Sequence, residues 1–424
     1  MQRDYSFISI GSTRLFRLLL LILAGESIFF LPFVLVRVFR PTFLTVFDLT
    51  NLELGMLFSA YGIVAMVSYF FGGPLADRLS PRVLLSAALI VTGLSGFMLV
   101  FAPSYHGMLW LYAFWGLTTI LLFWAALLKA TRILGGDDFQ GRAFGLLEAG
   151  RGLMAAMVGT IAVGILDFYL PEKGTITLVH QQQAFDKVLL FFSGWVVLVG
   201  LLIALFLKTS NHEEIKSQRI SWLQLKTIAT KSIIWYQAMI IVCAYVGYKV
   251  TDDFPLLASD VLGFSDVEAA QVGAWALWLR MITAILAGIL ADRVGQSSKV
   301  ISWGFALMCL SGLIISTGLI PAIPFYYLLC LTTSCLGVYA VRGLYFTLVQ
   351  ESHIPLAVSG TSIGIISVVG FTPDVFMGQL MGYLLDENPG VVGHQLVFLT
   401  LAVFALIGWF ATLRFIAINH KEPQ

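Results

Sequence analysis

Along the chain, apolar runs of about twenty residues alternate with short polar or Gly/Pro breaks, and twelve such runs can be drawn. About 20 residues of α-helix cross the ~30 Å hydrocarbon layer of a bilayer. The runs fall near 15–37, 52–72, 83–102, 107–131, 143–166, 187–207, 233–257, 269–290, 299–319, 324–348, 357–384 and 394–416. A membrane β-strand would instead alternate apolar and polar residues over about ten positions. The pattern therefore predicts an all-α membrane protein with twelve transmembrane helices. Arg3, Arg14 and Arg17 precede the first run in the manner of a signal peptide. That run is too long for one and lacks a small-residue cleavage site, so it is expected to be a retained span.

The polar breaks set orientation and domains. With both termini cytoplasmic, sixteen Lys and Arg fall on inner segments, against four on outer ones, Arg37, Arg40, Lys173 and Lys187. Positive charge accumulates on the cytoplasmic side, which predicts cytoplasmic termini. The longest polar stretch, from Lys208 to Ser232, lies midway. It divides the chain into a six-helix bundle over 1–207, a cytoplasmic linker over 208–232 and a second bundle over 233–424. Helical rather than barrel spans point to a plasma membrane or cell inner membrane.

Composition agrees with a lipid environment. Hydrophobic residues make up 58% of the chain and charged ones 12%, against about 25% charged in an average soluble domain. A formal net charge of +1 without a concentrated basic face excludes a nucleic-acid partner. Cys243, Cys309, Cys330 and Cys335 lie inside apolar runs without metal-site spacing. The histidines are scattered, and no P-loop occurs. No cofactor, metal or enzymatic activity is expected, so ion gradients must supply the energy for any transport.

One motif appears in both halves. GGPLADRLSPR spans Gly72 to Arg82 after the second run, and AGILADRVGQSSK spans Ala287 to Lys299 after the eighth. Small residues such as Gly73 and Gly288 would let a neighbouring helix approach closely. Asp77, Arg78, Arg82, Asp292 and Arg293 would offer charge to helix ends or facing carboxylates. The repeated L-A-D-R, the helix number and the central linker resemble the major facilitator superfamily, whose second-to-third helix loop carries a similar pattern. Ser80 and Pro81 depart from that pattern. The resemblance implies two pseudo-symmetric six-helix bundles around a central site, alternating between inward and outward openings. A looser similarity runs to the organophosphate:phosphate antiporters and related organic-anion symporters. It implies that Lys249 is the counterpart of a helix-seven arginine that binds anions, with Arg37 late in helix one as a weaker match.

Charges inside the runs carry the candidate chemistry. An ionisable group at mid-bilayer costs roughly 2.5 to 3.5 kcal/mol on insertion scales, so each needs a partner or a task. Bases fall at Lys129, Arg151, Lys249, Arg280 and Arg342, and acids at Glu26, Glu148, Asp252, Asp253 and Asp374. Glu148 and Arg151, three apart, share a helix face and are suited to an internal pair. Lys249 lies one turn from Asp252 and Asp253, which predicts a bridge that a proton on the carboxylate would break. Arg280 and Arg342 have no acid at helical spacing and read as anion-attracting. Glu26 stands alone as a proton-site candidate, and Asp374 after Pro373 is expected to cap a broken helix. Lys129 can also snorkel towards headgroups. The expected function is transport of a small organic anion, such as a sugar acid or a phosphorylated or sulfonated sugar, coupled to protons or to counter-anion exchange. The alternative is a proton-driven exporter of a drug, metabolite or siderophore, in which acids and bases are internal pairs. A monomer is expected in either case.

Overall fold

The computed structural model describes residues 12–171, 176–207, 230–352 and 366–419. Most of the expected linker, 208–229, lies outside them. Among the described residues, twelve helices are long and apolar enough to cross a membrane. Helix α1 comprises Ser12–Ser27 and Phe30–Phe47. It is followed by α2 Asn51–Arg78, α3 Pro81–Phe101, α4 Tyr105–Gly136, α5 Ala143–Tyr169 and α6 Leu178–Phe206. The second six are α7 Ser232–Leu262, α8 Asp266–Val294, α9 Ser297–Ser316, α10 Pro324–Thr347, α11 Ile366–Glu387 and α12 Val391–Asn419.

Local chemistry marks the ends. Capping boxes at Thr50/Glu53 and Ser265/Glu268 satisfy the first amides of α2 and α8. Prolines occupy the first turns of α3 and α10, where no amide donor is needed. Gly136, at φ 55°, separates α4 from α5. Within α7 the helix tightens into a 3₁₀ turn at Thr251–Asp253, just before Pro255.

The first helix departs from expectation. It continues to Phe47 rather than ending near residue 37, through a π-helical turn at Phe30–Val34 and a non-helical Phe39 that accommodates Pro41. Arg37 and Arg40, assigned by sequence to an outer loop, are consequently buried at 1% and 3% exposure. Their acidic partners lie on α7, out of reach of any local pattern.

Two apolar cores organise the molecule. One is built from residues of α1 to α6, joined by Ala270, Ala274 and Leu277 of α8, and the other from residues of α7 to α12. Within the halves, α3 packs on α6 and α9 on α12; across them, α2 packs on α11 and α5 on α8. The α2/α11 seam is made of backbone. A Cβ on Gly55 would stand 2.2 Å from the Gly378 carbonyl oxygen, and one on Gly382 would stand 2.4 Å from that of Asn51. Only hydrogen at these positions lets the two main chains touch.

These contacts close the end of the molecule opposite Ser12 and Asn419, the first and last described residues. The repeated motif sits at the terminal end, where a Cβ on Gly73 or Gly288 would meet nothing within 4 Å. Asp77, Arg78, Asp292 and Arg293 are exposed there. The expected close approach at Gly73 and Gly288 is therefore absent in this conformation. Gly72 is the packed glycine, where a Cβ would stand 3.2 Å from the Ile120 carbonyl oxygen. Arg82 donates from Nε to the Ala204 carbonyl at 2.7 Å, tying the start of α3 to the end of α6.

Candidate functional site

Between the halves, Glu26 of α1 receives two arginines. Its Oε1 accepts from Arg280 NH1 of α8 at 2.7 Å, and its Oε2 from Arg151 Nε of α5 at 3.1 Å. Arg151 also donates to the Gly25 carbonyl at 3.0 Å and to Glu148 at 2.6 Å. The Glu148 pair predicted from spacing is thus present, with Glu148 itself largely exposed. Glu26 is not alone and Arg280 is not unpaired, contrary to the sequence reading. Their separation of 254 residues hides the pair from any helical-spacing rule. Phe29 and Trp124 each flank the Arg151 guanidinium at 5.6 Å.

A second cluster forms where α1 meets α7. Arg37 Nε lies 2.5 Å from Asp252 Oδ1, and Arg37 also donates to the Tyr248 hydroxyl. The Tyr248 ring takes the Arg37 guanidinium at 4.0 Å and that of Arg342, from α10, at 3.4 Å. Arg342 has no acid partner among the described residues, and its NH1 is buried without a hydrogen bond.

Lys249 does not bridge to Asp252 or Asp253. Its Nζ touches Asp374 Oδ1 at 2.6 Å, and Tyr245 donates to Asp374 Oδ2 at 3.0 Å. One-turn spacing permitted the local bridge, but each α7 carboxylate is engaged by a base on another helix. Asp374 correspondingly ties α11 to α7 rather than capping its own helix. Phe33 and Phe58 of the first half enclose the ammonium at 4.4 and 5.0 Å. Lys129 lies apart from these clusters, donating to the Ala76 carbonyl at 2.7 Å near the motif end.

Two groups passed over in the sequence complete the picture. His394, in the first turn of α12, contacts Asp253 Oδ2 through Nδ1 at 2.7 Å and Asp260 Oδ2 through Nε2 at 3.2 Å. A histidine at the edge of an apolar run carries no local signal of two acids on another helix.

The other is Asp386 of α11. Its carboxylate accepts from the backbone amides of Asn51 at 3.1 Å and Leu52 at 2.7 Å, and from the Asn51 side-chain amide at 3.1 Å. One half thus supplies an acidic cap to a helix of the other. Asp386→Ala is expected to loosen far-end closure by about 1 kcal/mol. A cysteine replacing seam-buried Ser59 should then react with an impermeant maleimide about fivefold faster. An unchanged rate would show that the cap does not hold the seam.

Residues 20–373 match the model of the Major Facilitator Superfamily. The chain belongs to this superfamily, and its coarse function is that of a secondary transporter. It is 29% identical to "Inner membrane protein YihN" of Escherichia coli (strain K12) over 403 residues, covering 92% of each chain. It is 28% identical to "Inner membrane protein YqcE" of the same organism over 390 residues, covering 88% of each. Its fold is similar to the inward-facing, unoccupied crystal structure of a bacterial homologue of the human lysosomal transporter Spinster. The TM-score is 0.74 at 14% identity, over 98% of this chain and 100% of the other.

Proposed function

We propose that this transporter carries a small organic anion across the cell inner membrane by alternating access, driven by protons or by exchange for another anion. The observation that carries the reading is Arg342, a guanidinium seated on Tyr248 with a buried NH1 left without a partner. Beside it, Arg151 and Arg280 share the single buried carboxylate of Glu26. An uncompensated planar cation between two halves is a recognition element for carboxylate, phosphate or sulfonate, which a guanidinium binds through paired N–H donors.

Arg37, Arg151, Lys249, Arg280 and Arg342 form the substrate-facing bases in this reading. Glu26, Asp252 and Asp253, with Glu148 at the margin, form the proton-accepting set. The Asp77–Arg78 and Asp292–Arg293 motifs at the open end would engage when the molecule reverses. The lysines and arginines of the short loops favour cytoplasmic termini, which makes the open end cytoplasmic and the conformation inward-open. The fold's likeness to an inward-facing transporter supports that assignment.

The exporter reading has its own support. Arg37, Lys249 and Arg280 are each engaged by an acid, as expected where charges serve internal pairing. A thermal-shift screen of the purified protein against anionic, neutral and cationic metabolites separates the two, since a ligand that binds only the folded state raises its stability. Stabilisation by anions is expected, with binding weakened about tenfold or more in Arg342→Gln, because hydrogen bonds to charged groups contribute about 1.5 to 3 kcal/mol. Stabilisation by neutral or cationic compounds alone would transfer the case to export.

A further inference from the structure

His394 occupies an unusual position for a buried imidazole. It is 1% exposed, and both ring nitrogens face carboxylates of α7. The two carboxylates differ sharply in access. The Asp253 side chain is fully buried, whereas that of Asp260, two turns on, is 39% exposed. Beyond Asp253 lies Arg40 of α1, whose NH1 stands 4.0 Å from Oδ1. That carboxylate oxygen and the Arg40 Nε are both buried without a hydrogen bond. Arg40 NH2 then donates to the Asn51 side chain at 2.9 Å, and Asn51 donates to Asp386. A polar chain, hydrogen-bonded except at the 4.0 Å Arg40–Asp253 contact, therefore runs from an exposed carboxylate, through a buried imidazole and a buried acid, across the boundary between the halves to the cap on α2.

We infer that Asp260, His394 and Asp253 form a proton-loading relay that reaches the far-end closure while that closure is shut. The transport reading supplies the reason for such a relay, and this inference rests on it in naming the proton as the coupling ion. The transfer balances as follows. A bulk proton binds the Asp260 carboxylate and passes to His394 Nε2, as Nδ1 gives its own proton to Asp253 Oδ2. One proton enters and one arrives, leaving the imidazole neutral in its other tautomer. Asp253 then loses its charge, and Arg40 loses its attraction towards α7. Arg40 is also held by the Asp252 backbone carbonyl at 3.4 Å, a contact that does not titrate.

The long Arg40–Asp253 separation marks this link as the weaker one beside the 2.5 Å Arg37–Asp252 pair. A histidine can take a proton on one ring nitrogen while releasing one from the other, so it suits a carrier between two carboxylates. The ionisable groups facing the relay are Asp253 and Asp260 on α7 and Arg40 on α1. Among the described residues, no charged side chain of α9 or α11, which also pack against α12, forms an ion pair with the imidazole.

The relay is tested without a substrate. Spin labels at Leu178→Cys and Val392→Cys, both exposed positions at the far end of opposite halves, report the separation of the halves in nanodiscs. The background carries Cys309→Ser, since the other native cysteines are buried. As the pH falls from about 8 to about 5, a longer-distance population is expected to grow, and His394→Gln should reduce that growth at least about threefold. Asp260→Asn, at a partly exposed site, should reduce it likewise and carries the test if His394→Gln does not fold. No growth in the parent protein, or equal growth in both variants, would overturn the relay. Anion stabilisation measured on the same variants keeps the two ideas distinguishable. An intact anion response with no pH response removes the relay alone, and the reverse removes the anion reading alone.

Discussion

Glu26→Gln is expected to lose both transport and about 3 to 5 kcal/mol of stability, the usual consequence of removing one member of a buried ion pair. Two guanidiniums, Arg151 and Arg280, would lose their shared carboxylate while remaining 6% exposed. Two positive charges would then face each other across the boundary between the halves. The loss should fall mainly on the closed far-end conformation, because Arg280 belongs to the second half and Glu26 to the first. Thermal unfolding of the detergent-purified protein checks the prediction, and the double variant Glu26→Gln/Arg280→Gln supplies the control. Removing the second charge as well should restore much of the lost stability, and the coupling energy of the cycle measures the pair directly. Additive losses would mean that Glu26 and Arg280 act independently.

Gly55→Ala is expected to abolish cycling in a protein that still folds. The added methyl would stand 2.2 Å from the Gly378 carbonyl oxygen, with the Gln379 amide nitrogen at 2.8 Å, so the obstruction is backbone rather than a movable side chain. Overpacking of this kind typically costs about 1 to 3 kcal/mol. Because α2 and α11 belong to opposite halves, separating them relieves the overlap without unfolding either bundle. The population should therefore shift away from the conformation described here, by about fivefold to more than a hundredfold. The spin-label pair at Leu178→Cys and Val392→Cys would register this as a longer far-end distance at all pH values. A distance distribution matching the parent protein would show that the seam repacks.

The legible part of the site was the part that obeys local geometry. Glu148 and Arg151 are three residues apart on one helix, and they do pair, at 2.6 Å. Every other ionic contact of the central clusters among the described residues joins different helices, each over more than a hundred residues. The rule of one-turn spacing gave Lys249 the wrong carboxylates, and it left Glu26 and Arg280 apart when they are bound to each other. Arg37 and Arg40 were misplaced for a related reason. A positive charge after an apolar run reads as a loop unless the acid awaiting it is known, and that acid, Asp252 for Arg37, sits 215 residues further on. His394 was overlooked because its significance depends wholly on Asp253 and Asp260.

Apolar runs, their lengths and the polar breaks determined, without coordinates, a twelve-helix membrane protein of the major facilitator type. That information is local and cumulative: each run crosses a bilayer through its own composition, and the repeated L-A-D-R declares itself within eleven residues. The tertiary structure alone decided which charges meet, which glycines carry the contact between the halves, and which end of the molecule is closed. Ion pairs and backbone contacts between helices depend on how each helix is rotated and tilted against its neighbours. Those are collective properties of packing, to which no single segment of the chain holds the key.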